Sequence, residues 1–283
     1  EAAMLGCSLR HRGAELLGHT DGLAAYLQRG STMGVPLLHP WANRLDGDDY
    51  EAAGAAVVLP AASPLVHRDG NGLPMHGIPA TARDWRRTEL WADEGGARVA
   101  ARLDFSDRPG VLALFPFPHT VDVEATLIVD TLHIAVTVTA GPDADVPVAL
   151  GFHPYLRLPD VPRAQWAVGL PARRHVVTDA RGIPTGASAP VPALSGPLGD
   201  TTYDDGYDEL GEAPAFVLAG GGRRITTRFV DGFPVAQVYA PADADVICFE
   251  PMTAPVDALR TGDRLPVLAP RASLTAAFTI TVG

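Results

Sequence analysis

Apolar residues alternate with polar ones, or cluster as β-branched runs, in eight stretches of the chain: 55–59, 98–105, 120–129, 132–139, 224–230, 235–239, 246–250 and 273–282. A period of two places one set of side chains on a buried face and the other in water, so each stretch predicts a strand. The 29 glycines and 26 prolines punctuate the rest so often that few segments are long enough for a helix. Short strands at this spacing predict an all-β fold, a sandwich or barrel. Asp130 and Thr131 separate two of the runs and predict a hairpin, although they lack the favoured Asn-Gly chemistry. Residues 184–200, rich in Pro, Gly, Ala and Ser, predict a long surface connection. Strand-like segments of the same character continue on both sides of it, so residues 1–283 are read as a single domain without solenoid or propeller repeats.

Composition narrows the partners. With 47% hydrophobic and 19% charged residues the chain can bury a sizeable core. A formal net charge of -11 disfavours nucleic acid and anionic lipid, and a neutral small molecule fits better. All 22 basic residues are arginine, which excludes Schiff-base chemistry on a lysine. Cys7 and Cys248 alone make neither a disulfide framework nor a four-cysteine zinc site; they read as two buried thiols, with a single bridge left open. No run approaches the roughly 18 apolar residues of a membrane span. No leader-like segment is visible and cysteines are few, so the expected location is cytoplasmic.

Candidate chemistry concentrates in a few segments. His76 stands in Met75-His76-Gly77, His153 in Gly151-Phe152-His153-Pro154-Tyr155, and Glu250 in Phe249-Glu250-Pro251-Met252-Thr253. Proline after His153 and after Glu250 interrupts ladder pairing, so both are expected at strand ends facing an open surface. A glutamate that closes an apolar strand calls for a partner, and an arginine ion pair would suffice. In Pro40-Trp41-Ala42-Asn43-Arg44 the guanidinium offers five donors suited to hydroxyls or carboxylates. Trp41 either stacks on the apolar face of a pyranose or packs in the core.

Taken in order, Pro40 to Arg44, His76-Gly77 with Trp85, His153-Pro154-Tyr155, the Tyr203-Asp204-Asp205-Gly206-Tyr207 turn, and Glu250-Pro251-Met252-Thr253 resemble the aldose 1-epimerase (galactose mutarotase) family over nearly the whole chain. The resemblance implies a large antiparallel β-sandwich, the galactose mutarotase-like supersandwich, with a sugar held in an open cleft. It implies Glu250 as the general base at the anomeric hydroxyl and His153 as the general acid at the ring oxygen. It further implies Arg44, His76 and Asp204 as substrate-binding residues, to which Trp41 and Tyr155 are added as candidates. Because opening a hemiacetal needs only one acid and one base, no cofactor and no metal are expected. Asp204 is preferred to its neighbour Asp205. The expected resting state has Glu250 ionised and His153 protonated. Three other readings stand beside it: a hexose-6-phosphate epimerase using Arg83, Arg86 and Arg87 for phosphate, a carbohydrate-binding protein without catalysis, and a metal-dependent cupin. The cupin reading suffers from the lack of any His-x-His pair.

Overall fold

A computed structural model describes residues 4–18, 24, 26, 32–78, 85–106, 108–171 and 173–283. Two antiparallel sheets dominate it. The nine-stranded sheet runs, from edge to edge, Leu194–Pro197, Ala167–Leu170, Ala215–Gly220, Arg223–Asp231, Ser273–Val282, Thr131–Ala140, His119–Ile128, Gly96–Asp104 and Arg86–Asp93. The other runs Pro184–Val191, Arg173–Thr178, Tyr203–Asp208, Val235–Ala240, Ile247–Met252, Gly151–Phe152 and Leu37–Leu38, with Tyr155–Leu156 also pairing Ile247–Met252. One continuous apolar cluster holds them together, with Phe105, Phe115, Phe216, Phe229, Phe249 and Phe278 each at most 2% exposed. This is the expected all-β sandwich.

All eight predicted stretches are strands, to within a few residues at each end. The hairpin is present, but its register pairs Ile128 with Thr131, so the connection is Val129-Asp130, one residue earlier than expected. Val129 takes φ 53° there, a left-handed conformation that a β-branched residue adopts only when the flanking ladder fixes it.

The expected surface connection at 184–200 is instead two strands. Pro184–Val191 and Leu194–Pro197 are the outermost strands of the two sheets. An edge strand tolerates proline, because one side of its backbone needs no ladder partner, and it needs no apolar face when solvent covers it. Residues 203–208, expected as a turn, form a strand between Arg173–Thr178 and Val235–Ala240. Cys7 is exposed rather than buried, and Cys248 is buried; neither is in a disulfide. No described helix is long and apolar enough to cross a membrane.

Candidate active site

Strand register builds the site. In Ile247–Met252 alternate residues point to opposite faces. Phe249 enters the core while Cys248, Glu250 and Met252 lie on the other face. Glu250 is therefore mid-strand, not at a strand end as expected, and its direct cross-strand neighbour is Gln237. On the opposite side the partner strand is broken: Gly151 pairs with Met252 and Tyr155 with Cys248, so His153 and Pro154 leave the ladder beside Glu250. That break lets Pro251 sit inside a sheet, and it brings Nε2 of His153 to 3.3 Å from Oε1 of Glu250.

Around this pair lies a cavity of about 260 Å³. Arg44, His76, His153, Tyr155, Asp204 and Glu250, all singled out in the sequence, line it together. Trp41 does not. It is 1% exposed in the core, where its segment bridges Ala149, so its part is to anchor the loop that aims Asn43 and Arg44 at the cavity. Arg44 donates from Nε to Asp69 (2.8 Å), from Nη1 to Asn43 (3.2 Å) and, at 3.5 Å, from Nη2 to Asp204. Asp204 also accepts from Gln237 Nε2 at 2.7 Å. Register settles which of the adjacent aspartates faces the cavity. Asp204 pairs with Tyr239 on the Gln237 face, whereas Asp205 lies on the other face and meets His175 at 3.0 Å.

His76 is held by its backbone N–H to Asn43 and adopts φ 60°, next to Gly77 at φ 74°. A side chain at position 77 would collide with the His39 carbonyl, so glycine is required there. Left-handed backbone at a non-glycine residue costs on the order of 1–3 kcal/mol and concentrates at functional sites. Tyr155 stacks on His153 with ring centroids 4.3 Å apart, and its hydroxyl meets Thr32 Oγ1 at 2.5 Å.

Burial sets the protonation states. It pushes the Glu250 carboxyl well above its ordinary range, with Asp204 adding to the rise and Arg44 opposing it. It lowers His153 to about 3. His76 also falls, through burial and then the neighbouring His153, His67 and Arg44. Burial thus favours an uncharged pair with the proton on Glu250, in place of the expected ion pair. Tyr155 is held protonated by burial.

Sequence reasoning missed Asp69, Gln237, Thr32 and Tyr239, which also line the cavity. Gln237 had a signal, being the one amide inside the apolar Val235–Ala240 strand. Asp69 had none: it sits in an Asp-Gly-Asn-Gly turn and caps the backbone N–H groups of Asn71 and Leu73 as such turns do. Arg86 and Arg87 lie on an exposed edge strand of the other sheet and do not line the cavity; Arg83 lies outside the described residues.

The aldose 1-epimerase family model matches residues 3–281, and the chain belongs to that family. Similar solved structures include a Synechocystis sp. PCC 6803 protein, Slr1438, at 21% identity and TM-score 0.77, covering 98% of this chain and 87% of that one. A galactose mutarotase-like protein from Clostridium acetobutylicum is 16% identical with TM-score 0.79, covering 96% and 86%. Galactose 1-epimerase from Lactobacillus acidophilus NCFM is 16% identical with TM-score 0.74, covering 98% and 89%. At these identities the likeness establishes the fold. No curated protein matches the sequence significantly.

Proposed function

We propose that this protein is an aldose 1-epimerase that interconverts the α and β anomers of a free aldohexose of the glucose or galactose type, acting as a single domain over residues 1–283. The observation that carries the reading is a buried carboxyl and imidazole 3.3 Å apart in a cavity that also holds a guanidinium and a second carboxylate. Opening a cyclic hemiacetal needs one proton removed from O1 and one delivered to O5. Glu250 as carboxylate takes the first and His153 as imidazolium gives the second; the C1–O5 bond breaks as the C1–O1 double bond forms. That step leaves Glu250 protonated and His153 neutral, the form that burial favours. Rotation about C1–C2 and the reverse transfers then close the ring on the other face. The ion pair and the neutral pair hold the same number of protons, so one proton shift between Oε1 and Nε2 interconverts them.

Charge supports an unphosphorylated substrate. Arg44 is the only arginine among the described lining residues, and Asp69 and Asp204 both engage it. A phosphate there would meet surplus carboxylate rather than a free cation.

The test is polarimetry of freshly dissolved α-D-glucose, α-D-galactose and glucose 6-phosphate, with wild type and His153→Asn. Acceleration of the free sugars, reduced roughly 10²- to 10⁴-fold in the variant, is expected. Folded wild-type protein that leaves both free-sugar rates unchanged overturns the reading, and calorimetric sugar binding without turnover replaces it with a binding function.

A further inference from the structure

A second, smaller space adjoins the sugar-sized cavity. It has room for about one water-sized group, about 20 Å³, and shares Arg44, Asp204 and Gln237 with the larger cavity. Its remaining wall is largely aliphatic, including Val176, Val235, Met252 and Val256. Gly206 makes the room. It pairs with Gln237 on one side and Val176 on the other, on the cavity face, and a side chain there would fill the space between them.

Strand order says which part of a sugar would reach it. Across the sheet, His153 and Gln237 lie on opposite sides of Glu250, followed by Asp204 and Gly206, then Val176, at a spacing of about 4.8 Å per strand. In the mechanism above, O5 meets His153 and O1 meets Glu250. C2, which lies on the side of C1 away from O5, therefore points toward Gln237, Asp204 and the aliphatic niche.

The shared wall has the polarity of an amide. The Arg44–Asp204 contact is loose at 3.5 Å, and the Asp204 side chain is 48% exposed. A group inserted there meets a carboxylate acceptor and a guanidinium donor side by side, with apolar walls behind. We propose that this is a subsite for a 2-acetamido group, and that 2-acetamido-2-deoxyaldoses are substrates preferred over the parent sugars. The amide N–H donates to Asp204, the carbonyl accepts from Arg44, and the methyl fills the niche.

The inference rests on the mutarotase reading, and the two can fail separately. kcat/KM for anomerisation is to be measured for N-acetyl-D-glucosamine, D-glucose and N-propanoyl-D-glucosamine with wild type and Val176→Leu. N-acetylglucosamine is expected to exceed glucose about tenfold, roughly fourfold of it from burying the methyl. The longer acyl chain, too large for the niche, and the added methylene of Val176→Leu should each remove that margin, while Val176→Leu leaves glucose turnover unchanged. Equal or slower turnover of N-acetylglucosamine, beside normal glucose turnover, overturns the subsite alone. An N-propanoyl sugar as good as the N-acetyl sugar also overturns it, whether or not the variant folds. Acceleration of none of the three sugars removes both readings.

Discussion

Replacing Glu250 with glutamine should stabilise the protein at neutral and alkaline pH while abolishing turnover. Glu250 is 1% exposed, between Gln237 and His153, so its ionised form loses nearly all hydration. Its folded pKa lies well above the ordinary 4.5. Between those two values the folded chain binds more protons than the unfolded one, and wild-type stability falls as pH rises, by about 1.4 kcal/mol per pH unit for one proton. His153 acts in the opposite sense: with a folded value of about 3 against 6.5, it adds stability as pH rises from about 3 to 6.5. The two slopes oppose each other from 4.5 to 6.5, and above 6.5 only the Glu250 loss continues. Glutamine removes that loss while keeping an uncharged polar group beside His153. The gap between Glu250→Gln and wild type should therefore open above pH 4.5 and widen by about 2 °C of Tm per pH unit until Glu250 ionises in the folded state. Thermal unfolding from pH 4 to 9, with mutarotation measured on the same samples, checks this. Parallel Tm curves, or a variant less stable than wild type at pH 8, would refute a strained, high-pKa Glu250.

Two further outcomes follow from buried contacts. Asp69→Asn withdraws the carboxylate that fixes Arg44 through Nε, a charge-assisted hydrogen bond worth about 1.5–3 kcal/mol, and should raise KM about tenfold or more with a smaller change in kcat; unchanged KM in steady-state polarimetry contradicts it. His39 and His119 meet Nε2 to Nε2 at 2.8 Å among Phe105 and Phe115, where burial lowers His119 to about 4 and His39 well below its ordinary value. Both depressed values mean stability lost as pH falls from about 6.5 toward 4, and imidazole proton resonances of both rings that keep their neutral positions down to pH 5; a midpoint near 6.5 for either ring contradicts the assignment.

The strands legible in the sequence are those with one face in the core, because only burial on one side imposes a period of two. Ser273–Val282 alternates and was readable to the residue, whereas Arg86–Asp93 is exposed along its whole length and carries no such signal. Pro184–Val191 failed for the same reason, its prolines and small residues being those of a loop. Tyr203–Asp208 sits inside a sheet, yet its Asp-Asp-Gly centre has turn chemistry; neighbours on both sides override that preference.

The candidate site was legible as a set of residues and illegible as an arrangement, and the difference lies in register. Nothing local distinguishes Asp204 from Asp205; pairing with Tyr239 and Val238 sends them to opposite faces. Trp41 and Arg44 are three residues apart in one motif, yet one packs in the core and the other projects into the cavity, because the chain between them turns through Asn43 at φ 59°. The protonation state depends still less on local sequence. A glutamate beside a histidine reads as an ion pair on paper, but the sheet has removed both from water, and desolvation of two charges exceeds what one contact at 3.3 Å returns. A pair kept neutral by burial and separated by one proton shift from its ionised form is suited to a reaction that must run equally well in both directions, since either cyclic anomer meets the ionised pair and the open-chain aldehyde meets the neutral one.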